Sequence, residues 1–172
     1  MLPANIDENL IDDEQPEQAV SRLASAKARH IAETKSLPSS IVLGADTIVV
    51  KDDAILGKPR DANQAAEMLS ALSGGAHSVL SAIAFASWND GVINVDASVV
   101  STMVHFRVLS RGEIEAYIAT GEPFDKAGGY GIQGFAAAFV TRIEGSYSNV
   151  VGLPLAETCT KLISLGVKTA LS

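Results

Sequence analysis

Residues 41–50 read IVLGADTIVV, a nearly continuous apolar and β-branched run interrupted by one charge, Asp46. A run of this kind reads as an interior strand covered on both faces, because a half-wet strand would alternate apolar with polar positions. Such a strand needs layers of structure on either side. The chain has 172 residues, 47% of them apolar and 19% charged, which suits one domain with a sizeable core and excludes disorder for most of its length.

The flanking sequence supplies those layers. Val20, Leu23, Ala24, Ala28 and Ile31 recur at helical spacing over residues 16–32, with Pro16 in the first turn and acids just ahead of it. Asp52-Asp53 predicts a turn into a short partner strand at 54–56. Asp61 with Gln64 resembles a capping box for a helix through Leu72 that Gly74-Gly75 ends. Residues 77–88 and 92–108 read as a hairpin joined at Asn89-Asp90-Gly91. Ser110 and Glu113 cap a helix to about Thr120. A glycine-dense loop at 125–134 leads to a predicted strand at 135–143, a loop at 145–152 and a last helix at 154–165. This order predicts an α/β fold with a mixed sheet.

Several function classes fall away at once. Thirteen basic against twenty acidic residues give a net charge of −7, the opposite of the basic footprint of a nucleic-acid or membrane-surface binder. Cys159 is the only cysteine, so there is no internal disulfide framework or Cys-rich zinc module. No stretch approaches the ~18 apolar residues of a membrane span, and the acidic start lacks the features of a signal peptide, so a cytoplasmic protein is expected. The GxxxxGK[ST] phosphate-binding pattern is missing.

Some charged residues fit poorly with simple packing. Asp46 falls mid-strand on the face shared by Gly44 and Ile48, where a carboxylate needs a partner, a metal or water; the plainer alternative is a carboxylate bonding nearby backbone amides. Lys27 falls on the inward stripe of the first helix, as a residue reaching a cleft or as a snorkelling lysine. The block DKAGGYGIQG at 125–134 can bring backbone N–H groups and Lys126 to an anion, although glycine-rich loops also serve as turns. Lys58, before Pro59, suits an anionic ligand or a solvated turn, and Glu8 lies in an acidic tail whose plain role is solvation.

Taken in order and spacing, LASAKA, VLGADTIVV, LGKPRD, FDKAGGYGIQG and GSYSNVVGLPL closely resemble the Maf family of nucleoside triphosphate pyrophosphatases. The resemblance implies an inosine-triphosphatase-like α/β fold: an elongated, curved mixed sheet dividing two lobes, with a nucleotide cleft between them. It implies hydrolysis of a nucleoside triphosphate between its α and β phosphates, assisted by a divalent cation, Mg2+ or Mn2+, and some members are linked to septum formation. By motif, Asp46 matches the residue acting as general base or metal-associated carboxylate. Lys27, Lys58 and Gln133 match polar positions of the family's site, and Glu8 matches the acid of an early IDE segment that would join Asp46 at the metal. Lys126 would help neutralise the triphosphate. The wording AGGYGIQG, with Gln133, looks like the subgroup acting on dTTP and UTP rather than its 7-methyl-GTP-preferring sibling.

Family members usually begin with a strand and an SxSPRR-like loop, whereas this sequence starts at MLPANIDE. The expectation is a single Maf-like domain over 1–172, N-terminally shortened, with an exposed strand edge that a homodimer or a rearranged N-terminus could cover. The alternative to an enzyme is a nucleotide-binding regulatory protein linked to cell division, with weak or no hydrolysis.

Overall fold

A computed structural model describes residues 2–11, 13–35, 40–89 and 91–170. The elements follow in the order α1 (Pro16–Lys35), β1 (Ile41–Lys51), β2 (Ala54–Leu56), α2 (Ala62–Leu72), β3 (Ala76–Asn89), β4 (Val92–Phe106), α3 (Arg111–Ala119), β5 (Val140–Glu144), α4 (Tyr147–Val151) and α5 (Leu155–Ser164). Short 3-10 turns, Glu122–Asp125, Ala127–Gly129 and Phe135–Phe139, fill the span between α3 and β5.

The five strands form one open sheet in the order β2-β1-β3-β4-β5. The predicted α/β class holds, but every pairing among the described residues is antiparallel where a mixed sheet is expected. The cause is the β1–β2 hairpin: it reverses the chain once before α2 reverses it again, so β3 returns antiparallel to β1. That hairpin turns at Asp52 and Asp53, whose φ of 49° and 64° suit the tight turns that match strand twist. The β3–β4 hairpin spans the predicted turn, whose residue Asp90 lies outside the described residues.

Strand alternation sends side chains to two cores. On one face Ile48, Leu80, Ala82, Ala84 and Ala86 pack against Val20, Ala24, Ala28 and Ala32 of α1. The opposing residues are mostly alanine, so helix and sheet approach closely. At Gly44 the approach is too close for any side chain, since a Cβ would stand 2.5 Å from the Ala24 carbonyl oxygen and 2.7 Å from the Ala28 nitrogen. On the other face Val49, Val79, Val104 and Phe106 gather under Leu69 and Leu72 of α2, Tyr117 of α3 and Tyr130 of the glycine-rich loop. β1 is thus buried from both faces at Ile48 and Val49, as the run of 41–50 predicts, but where an interior strand is expected Leu43 is exposed and, among the described residues, both edges are paired only at Val49 and Val50.

Two segments differ from prediction. Residues 135–139 form a 3-10 turn, and the strand begins only at Val140. Alanines at 136–138 give a strand little to pack, and Ala136 and Phe139 point inward from the turn instead. Within the predicted loop at 145–152, Ser146 caps a short helix by accepting from the Asn149 N–H at 3.3 Å. No helix among the described residues is long and apolar enough to cross a membrane.

Candidate functional site

β2 pairs with β1 only at Val49, Val50 and Lys51, so over residues 41–48 that edge of β1 has no partner strand among the described residues. Consecutive side chains of a strand point to opposite faces, and here this splits the candidate residues between the two sides of an open edge.

On the α1 side, Asp46 faces the helix. The ammonium of Lys27 lies 2.5 Å from Asp46 Oδ1 and 2.7 Å from Glu8 Oε1, joining the two carboxylates through one cation. The contact exists because Gly44 lets α1 settle onto β1, and because Lys27 lies on the helical stripe above the strand. Lys27 is therefore more than a snorkelling lysine: its stem is covered by protein and its tip ends on carboxylates. Among the described residues Asp46 bonds the lysine and no backbone amide. Its side chain is 13% exposed, against 51% for Glu8.

The electrostatics follow from that burial. Desolvation raises the pKa of Asp46 above the ordinary carboxylate range, and the Lys27 hydrogen bond only partly offsets it. The more open Glu8 is held below its ordinary value, chiefly by its hydrogen bond from Lys27. Burial pulls the Lys27 ammonium down, yet its bonds to Asp46 and Glu8 outweigh this and leave it raised. The cluster therefore holds a protonated lysine between two carboxylates, of which Asp46 is the better base.

On the opposite side, Thr47 and Val49 form part of a cavity of about 250 Å³, closed by Lys58 after β2, by Tyr130 and Gln133 of the glycine-rich loop, and by Gly152 after α4. The loop is moulded onto the sheet at Gly128, whose φ is 68° and where a Cβ would lie 2.9 Å from Val49 Cγ1. Lys58 links the two sides, since its charge helps to lower both Glu8 and Asp125 and acts in the same sense on Asp46.

The predicted residues therefore fall into two groups: Glu8, Lys27 and Asp46 meet on one face, and Lys58 and Gln133 line the cavity on the other. Lys126 joins neither group. Its exposed ammonium pairs with Asp125 at 2.7 Å, and Asp125, held low by that bond, is the side chain that lines the cavity.

Sequence reasoning passes over a buried polar chain behind the cavity. Thr47 Oγ1 lies 2.7 Å from Ser81 Oγ, its cross-strand neighbour, and Ser81 donates to the Asn149 carbonyl at 2.9 Å. The Asn149 amide donates to Val79 O and Thr102 Oγ1, both at 3.0 Å, tying α4 to β3 and β4. Tyr130 is anchored similarly, its hydroxyl 2.7 Å from His77 Nε2 inside an aromatic cluster with Phe106. For Thr47, Ser81 and Thr102 the one sequence signal is their polarity at strand positions that alternation turns inward; Asn149 and Tyr130 carry no such signal.

Two carboxylates bridged by a lysine, beside a cavity with a further lysine and an amide, form a site with the chemistry for a polyanion. Comparison with known proteins points the same way. A sequence model of the Maf family, described as Maf-like protein, matches residues 1–165. The "dTTP/UTP pyrophosphatase" of Syntrophotalea carbinolica is 48% identical over 166 residues, covering 96% of this chain and 74% of that protein. The protein of the same name from a Geobacillus species is 51% identical over 166 residues, covering 96% and 86%, and that of Shewanella oneidensis is 48% identical over 164 residues, covering 95% and 82%. On the match along its length and on identities near one half, the chain belongs to the Maf family.

Proposed function

We propose that this chain is a nucleoside triphosphate pyrophosphatase that hydrolyses dTTP and UTP to the monophosphate and pyrophosphate. The observation that carries the reading is the convergence of Glu8, Lys27 and Asp46 at the open edge of β1, back to back with the cavity that Lys58 and Gln133 line. The names of the relatives, all matched at similar identity, support the substrate class.

Phosphoryl transfer asks a protein to position the reactants and to neutralise charge that spreads over the phosphoryl oxygens. Lys58 and Lys27 supply cationic charge on either side of the β1 edge. Asp46, made more basic by burial, takes a proton from the attacking water as its oxygen bonds to the α phosphorus. The bridging α–β bond breaks and pyrophosphate leaves with the electron pair. Lys27 fixes the orientation of the Asp46 carboxylate, and Gln133 offers both an amide donor and an acceptor to the bound nucleotide.

The residues also suit a divalent cation. Glu8 and Asp46 offer oxygens on one small centre, and their second oxygens make no hydrogen bond to a described residue. No three His, Cys, Asp or Glu side chains cluster into a metal cage among the described residues. Two carboxylates match Mg2+ or Mn2+, hard cations that keep several waters and complete their shell with substrate phosphates. Such an ion, when bound, polarises phosphoryl oxygens and lowers the pKa of coordinated water.

The test is pyrophosphate release from dTTP, UTP, CTP, GTP and 7-methyl-GTP, with Mg2+ or Mn2+ and with chelator. Cation-dependent turnover favouring dTTP and UTP is expected. Nucleotide-dependent thermal stabilisation without pyrophosphate release would replace the enzyme with a nucleotide-binding regulatory protein.

A further inference from the structure

The chain ahead of α1 forms no regular secondary structure among its described residues, yet it brings Glu8 to the ammonium of Lys27. A carboxylate on an irregular arm is a poor site residue unless the arm is held, because ordering free backbone costs conformational entropy at every residue. The hold comes from Arg22, also on α1. Its Nε and Nη2 donate to the two oxygens of Glu14 at 2.7 and 2.8 Å, and Nη2 also donates to the Asn9 carbonyl at 3.1 Å. Asn9 follows Glu8 directly, so this last bond fixes the Asn9–Leu10 peptide, one residue beyond the site residue. The Glu14 N–H donates to Ile11 O at 3.2 Å, which folds the arm back before it enters the helix.

The arrangement differs from an ordinary surface ion pair, which contributes little. It is bidentate, the Glu14 side chain is only 11% exposed, and the same guanidinium serves a backbone carbonyl. A lysine could supply the charge but not the planar fork.

We propose that Arg22 is a positioning residue for Glu8: by clasping Glu14 and the Asn9 carbonyl to α1, it holds the N-terminal strap so that Glu8 stands over Lys27 and beside Asp46. The inference rests on the reading of Glu8 and Asp46 as the cation-holding pair. Partners that orient metal ligands commonly change metal affinity by about 10- to 100-fold when removed, and the clasp belongs to that class.

Calorimetric titration of the full chain with Mn2+ tests this without turnover, alone and with a non-hydrolysable α,β-imido analogue of dUTP. Arg22→Gln is expected to weaken Mn2+ binding by about 10- to 100-fold, with Arg22→Lys intermediate. In a Glu8→Gln background, Arg22→Gln should change Mn2+ affinity no further, since a residue that acts through Glu8 has nothing left to position. Limited proteolysis gives the second measurement: strap residues 2–11 should be cleaved at least tenfold faster in Arg22→Gln while the rest of the chain stays resistant. Unchanged Mn2+ affinity in folded Arg22→Gln, an equal loss in the Glu8→Gln background, or wild-type protein that binds no Mn2+ would each overturn the assignment. Loss of the pyrophosphatase reading shows separately, as Mn2+ binding that depends on Arg22 without pyrophosphate release.

Discussion

A Cβ placed on Gly44 would lie 2.5 Å from the carbonyl oxygen of Ala24, so the first helix touches the first strand backbone to backbone. This contact, one turn of helix away from Lys27, sets the distance at which Lys27 meets Asp46. Gly44→Ala must push α1 outward, because the blocking atoms are main chain and have no rotamer to change. A loss of about 1–3 kcal/mol in stability is expected, together with a fall in turnover larger than the lost stability explains at assay temperature. Urea denaturation and pyrophosphate release on the same protein check both.

Lys27 pairs with two carboxylates at once, and Asp46 is mostly buried. Removing the lysine alone leaves Asp46 charged without its partner, whereas removing both charges leaves neither exposed to that cost. Lys27→Met should therefore be less stable than Lys27→Met/Asp46→Asn by about 1 kcal/mol or more at pH 7. Thermal melts of the two variants decide it, and equal melting temperatures would mean the bridge carries no coupling.

Much of this arrangement is legible in the sequence, and the parts that are not share a physical cause. Asp46 stands out because a charge interrupts an apolar run, and Lys27 because it breaks a helical stripe; each is visible against a local period. The Asp52-Asp53 turn, the β2 strand and the Ser110–Glu113 capping box follow from chemistry within four residues. Arg22 and Asn149 show no such contrast, since their roles come from partners 8 to 70 positions away. Lys126 matches the motif but takes Asp125 as its partner, a contact that spacing leaves open. The antiparallel course of β3 likewise depends on how a hairpin and a helix combine.

Gln133 lies at the cavity on the side of the sheet away from Asp46, and on the proposed reading it faces the nucleoside rather than the scissile bond. Its amide can pair with both a donor and an acceptor of a keto pyrimidine. Gln133→Ala should lower kcat/KM for UTP by about tenfold, the cost of one or two lost hydrogen bonds, and should narrow the preference for UTP over CTP. An equal loss for both nucleotides would assign Gln133 to the phosphates instead.

His77 is 2% exposed, and burial, with Lys51 and His105 nearby, pulls its pKa down from 6.5 to about 4. Below pH 6.5 the unfolded chain takes up a proton that the folded chain refuses until about pH 4. Stability is thus complete above the unfolded value and is lost as pH falls through that window, by up to about 1.4 kcal/mol per unit. Urea titrations at pH 7.5 and pH 5 should show this loss in the wild type and a shallower one in His77→Asn. Identical pH slopes would remove His77 from the balance.

The central claim is that Asp46 performs chemistry on a nucleotide that the opposite face of the sheet binds, so binding and turnover separate at this residue. Asp46→Asn keeps the shape and removes the base. With UTP and Mg2+, pyrophosphate release by this variant should fall by about 100- to 10,000-fold, while stabilisation by the α,β-imido analogue of dUTP stays within a few-fold of wild type in apparent affinity. Undiminished pyrophosphate release from Asp46→Asn would contradict the account.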